Sequence, residues 1–293
     1  MALLKKDRKR IRDYPCPYNE KYYMETNVFE ESDIKFPDAY KTANGMISIA
    51  KTIAEENGLD ILSLPFCHTV ELESFGGLVN FGDGKVGPRP GDYVLTDPRD
   101  FLKLPEPDLN KGRISEVIKA VSILKEKGHT IVVNINGAVA IMSGMMELIP
   151  ILKALRREKD YIIEALEMFR KFELKYYEAL VDAGADIISM TELSMPKILG
   201  PEIVETIVKY FLYPFLKDAE KIGDNVIHLC PKSTYGLVDS GYGDFVEIKL
   251  SEIRNYGKAM LEAKGEYRIF GRRCIGTLKT KITNKKLRAV KLK

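Results

Sequence analysis

No run of about 18 consecutive apolar residues occurs in this sequence, so no membrane-spanning helix is expected. The amino-terminal stretch is charged and lacks an apolar core, which argues against a secretory signal. Cysteine is scarce, with four in 293 residues. So few in a chain of this length do not make a disulfide framework. They read as thiols of a reducing cytoplasm, where a Cys/His set points to metal binding or catalysis. Neither sign of charge dominates: 45 basic residues face 42 acidic ones, for a formal net charge of +3. That balance gives no electrostatic case for nucleic acid or a membrane surface as partner. Tryptophan is absent too, and nothing follows from that.

What is present is an ample supply of core. Apolar residues make up 45% of the chain. The length suits an α/β barrel folded as a single domain. Basic residues gather at both ends: Lys5, Lys6, Arg8, Lys9, Arg10 and Arg12 at the start, and Lys279, Lys281, Lys285, Lys286, Arg288, Lys291 and Lys293 at the finish. They read either as solvated termini or as a basic rim for an acidic partner.

Short β-rich runs alternate with longer amphipathic ones. Strand candidates are 59–66 (LDILSLPF), 130–136 (TIVVNIN), 186–192 (DIISMTE), 225–230 (NVIHLC), 244–249 (DFVEIK) and 267–271 (YRIFG). Several are nearly continuous apolar runs, as parallel strands buried on both faces require. Helices are expected over 37–57, 114–127, 158–183, 201–222 and 251–263, the last with Ser251 as its N-cap. Pro201 suits a first helical turn, and Gly58, Gly128, Gly184 and Gly223 suit stops. The alternation implies βαβ units around a parallel sheet. The segment 76–106, rich in Gly, Pro and Asp, reads as a long loop, either a functional lid or a solvent loop, and 1–28 as an irregular basic extension of one domain spanning 1–293.

Residues two apart on a strand share a face, so His228 and Cys230 project together, at the carboxyl end where barrel enzymes build their sites. An imidazole and a thiolate on one face suit zinc. A single His-x-Cys pair is weak by itself. Cys274, following the last strand candidate, supplies a third ligand and leaves an open position. Glu247 reads either as a fourth, displaceable ligand with a catalytic part or as an exposed, ion-paired carboxylate. Cys67 reads as core filler, with pocket lining as the alternative; Cys16 has no evident partner, and His129 reads as structural.

The segments 64–76 (LPFCHTVELESFG), 134–137 (NING), 178–186 (EALVDAGAD), 198–201 (ILGP) and 227–230 (IHLC), with Cys274, occur in a suggestive order. In that order and spacing the chain resembles the cobamide-dependent methyltransferases of the uroporphyrinogen decarboxylase superfamily, especially the methylcobamide:coenzyme M methyltransferases. The resemblance covers most of 29–290. It implies a TIM-type (β/α)8 barrel, zinc on His228, Cys230 and Cys274, and an acidic residue near zinc at about Glu247. It further implies a methylated corrinoid as donor, a corrinoid protein as partner, a small thiol as acceptor, and a closing helix over 280–292. The opening barrel strand is not evident and 267–274 is compressed, so the barrel is expected to be shortened at its N-terminal strand and near its C-terminus. Pro231 stands where the family commonly has glycine. The arginine-rich motif of the decarboxylases is not matched, which disfavours decarboxylation. Two other readings stay open: demethylation of a methoxy or methylthio compound onto Co(I), and a non-catalytic binding or regulatory member.

Overall fold

The computed structural model describes residues 12, 35–82, 86–192 and 196–293. Apart from Arg12, the amino-terminal basic cluster and Cys16 lie outside the described residues. Strands are β1 (Ile61–Leu64), β2 (Val79–Asn80), β3 (Arg89–Pro90), β4 (Thr130–Asn136), β5 (Ile187–Thr191), β6 (Val226–Leu229), β7 (Gly243–Lys249), β8 (Ile269–Phe270) and β9 (Lys286–Leu292). β2 and β3 form a small hairpin; the others form one seven-stranded sheet in the order β1-β4-β5-β6-β8-β9-β7. β1, β4, β5, β6 and β8 are parallel, joined through helices, as the sequence pattern implies.

Among the described residues this is the barrel-type α/β architecture in shortened form. Among the described residues β1 and β7 are the unpaired ends of the sheet. The departures sit near the carboxyl terminus. β7 is not one more parallel strand: it runs antiparallel to β9, which also pairs antiparallel with β8. The closing helix expected over 280–292 is strand β9 instead. Its sequence alternates, with Leu287 and Ala289 buried while Lys286 and Arg288 are exposed, which is a strand period rather than a helical one.

The sheet carries two apolar faces. Leu62, Leu64, Ile131, Val133, Ile135, Ile188, Met190, Ile227, Leu229, Ile269 and Val290 join the large core under the outer helices. The alternate positions Ile61, Val132, Ile187, Val226, Phe270 and Ala289 pack on the helix Tyr256–Ala263 and on Leu278 and Ile282. That helix therefore fills the space a closed barrel would enclose. It starts at Tyr256, not near Ser251. Residues before it are committed to pairing: Leu250 N–H donates to the Lys285 carbonyl, and Ile282 N–H to that of Arg254.

Other elements follow their local chemistry. Helix Ala43–Asn57 is capped by Thr42, whose hydroxyl accepts from Gly45 N–H at 3.1 Å, and stops at left-handed Gly58. The helix expected over 201–222 is widened by a π turn at Val208–Leu212. Pro214 lies two residues past its end; lacking an N–H, it cannot continue the regular ladder, and the turn absorbs the clash. The excursion 76–106 is tied down where described. Val94 and Leu95 N–H groups donate to the Met145 carbonyl, and Phe101 is fully buried in the 3-10 turn Pro98–Lys103.

Candidate functional site at the carboxyl ends of the parallel strands

On the concave face, the apolar row Ile61, Val132, Ile187 and Val226 gives way two residues later to Ser63, Asn134, Ser189 and His228. The strand period places both rows on one side. Asn134 Nδ2 donates to Ser63 Oγ at 3.0 Å. Two residues further come Asn136, Thr191 and Cys230. Asn136 pairs in register with Thr191, and Cys230 N–H donates to the Met190 carbonyl at 2.9 Å. These three positions are successive steps across the strand ends, about 10 Å from first to last at normal strand spacing.

His228 is fully buried. One ring nitrogen, Nε2, lies 3.0 Å from the Arg273 carbonyl, and the other, Nδ1, 2.9 Å from Ser189 Oγ. A carbonyl only accepts, so Nε2 carries the proton and Nδ1 accepts from the serine hydroxyl. Burial pushes the imidazole pKa down to about 4, against a weaker opposing effect from the Arg273 contact, so the ring is neutral near pH 7. Tyr256 packs edge-on against it, with centroids 6.2 Å apart.

Cys230 follows β6 and is the N-cap of helix Pro231–Asp239; Cys274 follows Arg273 and is the N-cap of a short 3-10 turn. The 271–274 stretch lies along the end of β6: a side chain on Gly271 would meet the Leu229 carbonyl at 2.6 Å. Thus His228 contacts the carbonyl of Arg273, the residue before Cys274, and Cys230 follows the last residue of its strand. Their side chains do not form a ligand cage as they stand. Among the described residues, no group of three or more His, Cys, Asp or Glu is placed to hold a metal ion.

Glu247 is not at this site. It lies on β7, the third strand from β6, so about 14 Å away across the sheet. Its carboxylate is 3.0 Å from Lys286 Nζ at the sheet margin. The expected fourth ligand is therefore an edge-strand ion pair; the antiparallel turn of β7 carried it away from the strand ends. Arg12 is likewise paired, with Asp239, and lies over the Tyr235 ring at 4.6 Å. Cys67 is buried, with the Thr69 hydroxyl and Arg113 Nη1 each 3.4 Å from its sulfur.

A second polar cluster lies on the β1–β4–β5 side. Glu71, buried, accepts from Asn136 N–H at 2.8 Å and from Asn136 Nδ2 at 2.7 Å. Asn136 Oδ1 is 3.0 Å from Nδ1 of His68, an exposed ring. Arg113 ties the segment down, bonding to Glu73 and to the Thr69 carbonyl and hydroxyl. Glu192 accepts from Val139 and Ala140 N–H, both at 3.1 Å, at the start of helix Ala138–Met145, where the helix dipole favours an anion. Gly137 leaves room for that carboxylate, which a Cβ there would strike. Glu173 is fully buried, and neither of its oxygens has a hydrogen-bond partner among the described residues. Burial first, then Glu71 and Glu192, push its pKa well up.

Sequence reasoning missed Ser189, Asn136, Glu71 and the Arg273 carbonyl. Asn134, Asn136 and Ser189 were visible as polar residues interrupting apolar strands on one side of the alternation. A backbone carbonyl leaves no such signal.

The uroporphyrinogen decarboxylase (URO-D) family model matches residues 8–243. A methylcobamide:CoM methyltransferase, MtaA, of Methanosarcina barkeri is 25% identical over 229 residues, covering 77% of this chain and 67% of that protein. The methylcobamide:CoM methyltransferase MtbA of Methanosarcina mazei is 30% identical over 221 residues, covering 71% and 62%. A solved methyltransferase from Methanosarcina mazei superposes with a TM-score of 0.62 at 25% identity, covering 73% of this chain and 64% of its own. The chain thus spans about two thirds of the length of the relatives it matches. Through the extent of the family match and the shared barrel-type fold, this chain belongs to the uroporphyrinogen decarboxylase family.

Proposed function

We propose that this chain transfers a methyl group between a corrinoid, carried by a corrinoid protein, and a small thiol. The observation that carries the reading is the meeting of His228, Cys230 and the 273–274 backbone at the strand ends, in a chain whose curated relatives are named for methylcobamide and CoM.

One imidazole and two thiols are a donor set that suits zinc in kind. His228, Cys230 and Cys274 would hold it, His228 giving up one of its present hydrogen bonds; Glu247 has no part in this set. Bound there, zinc would lower the pKa of the acceptor thiol so that thiolate exists at neutral pH. The chain's own contribution is positional. The one of Ser189 and the Arg273 carbonyl that keeps its bond to His228 fixes the imidazole plane, and the buried row beneath keeps water from below.

Zinc analysis of the purified chain, with methyl transfer from methylcobalamin to a thiol, tests this. About one zinc per chain is expected, lost together with transfer in Cys230→Ala. Full transfer by a zinc-free Cys230→Ala protein would overturn the assignment. A second reading, a binding or regulatory member without metal, draws on the engagement of both His228 nitrogens. It predicts no zinc even after reconstitution.

A further inference from the structure

We infer that His68 is the proton acceptor for the thiol, an inference that rests on the methyl-transfer reading above. The argument begins at the buried end of the chain Glu71–Asn136–His68. Glu71 is taken wholly out of water, and both its oxygens accept from Asn136, one from the backbone and one from the side chain. The carboxylate fixes which way the Asn136 amide faces, since only the NH2 end can donate to it. The carbonyl end, Oδ1, is thereby presented to His68 and can only accept. His68 Nδ1 therefore carries the ring proton. Nε2, on the far side of the ring, keeps its lone pair and has no hydrogen-bond partner among the described residues.

This is the arrangement by which a general base is held: an orienting acceptor behind one nitrogen and an open lone pair on the other. An incidental surface histidine needs no buried carboxylate–amide pair beneath it. Burying such a pair is tolerated only where its hydrogen bonds are satisfied. The location agrees. Asn136 is the first of the three steps across the strand ends, and Cys230 is the last. The role places the acceptor thiol over Thr191, the middle step, between His68 and Cys230. As the thiol binds, the S–H bond breaks and its proton passes to His68 Nε2. The sulfur pair forms the S–CH3 bond, and the Co–C pair returns to cobalt, taking Co(III) to Co(I).

The test compares two thiols in the full-length protein, with methylcobalamin as donor and cobalt absorbance as readout. One is an alkyl thiol of ordinary acidity, the other an aryl thiol already ionised at neutral pH. His68→Asn keeps an N–H for Asn136 Oδ1 but removes the base. It should slow the alkyl thiol by about 100-fold and the aryl thiol by less than about 3-fold. Equal slowing of both, or of neither, overturns the role of His68 while leaving methyl transfer standing. The 15N spectrum of the ring gives an answer independent of turnover. Only three histidines are present, and the His68 signals vanish in the variant, so they are assignable. A proton on Nδ1 is expected; a proton on Nε2 overturns the role even in an active protein. Wild-type protein inert toward both thiols overturns the methyl-transfer reading and the role with it.

Discussion

Two histidines stand near the ends of the parallel strands, and they are held in opposite ways. His228 on β6 is buried, with both ring nitrogens engaged by Ser189 and Arg273. His68, in the loop after β1, is exposed and engaged at one nitrogen, with a buried Asn136–Glu71 pair behind it. The first is built into the fold; the second is presented by it. Burial of a satisfied polar ring makes it part of the core's energetics, while an oriented but open nitrogen is free for chemistry.

The largest effect should come from the buried ring. His228→Ala leaves a cavity and strands the Ser189 and Arg273 groups, which should cost about 3 kcal/mol in chemical denaturation. His68→Ala measured alongside should lie within about 0.5 kcal/mol of wild type; matching losses would erase the contrast. Next is the support of the presented ring. Asn136→Ala leaves the buried Glu71 carboxyl with the backbone N–H bond alone and should cost about 2 kcal/mol. Its double-mutant cycle with Glu71→Gln should show coupling, whereas a cycle with Ser189→Ala should be additive.

The unpartnered Glu173 gives a smaller effect with a pH signature. Its folded-state pKa is raised, so the stability of its neutral form is fully present below about 4.3, the ordinary carboxyl value, and is lost as pH rises toward the folded value. Glu173→Gln should therefore gain on wild type as pH increases. Thermal melts at pH 5 and pH 8 read this, and a gain that shrinks with pH would contradict it. The smallest effect is expected at the sheet margin: Glu247→Ala, breaking a partly exposed ion pair with Lys286, should change stability by less than about 0.5 kcal/mol and leave zinc content unchanged.

Much of the framework was legible because strand and helix periods are local. The run TIVVNIN is β4 to the residue, and the apolar runs around Leu62, Ile188 and Ile227 are the parallel strands expected. His228 lies on β6, and Cys230 is the residue after its end, capping the next helix. The carboxyl-terminal third was not legible in the same way. Lys286–Leu292 carries a strand's alternation, but nothing local says it turns back between β8 and β7. Ser251 looks like a helix cap until the pairing of 250–255 with 280–285 takes its backbone.

The sequence by itself determined the class of fold, the parallel core strands and the donor types at the end of β6. Periodicity, composition and turn residues act over a few residues and need no partner. Only the tertiary structure decided that Glu247 is an edge ion pair, that both nitrogens of His228 are occupied, and that His68 stands on Asn136 and Glu71. Those outcomes depend on strand order and on contacts between residues far apart in the chain, such as the 45-residue separation between His228 and the Arg273 carbonyl. Hydrogen bonds of that kind form only when the sheet has brought its strands together.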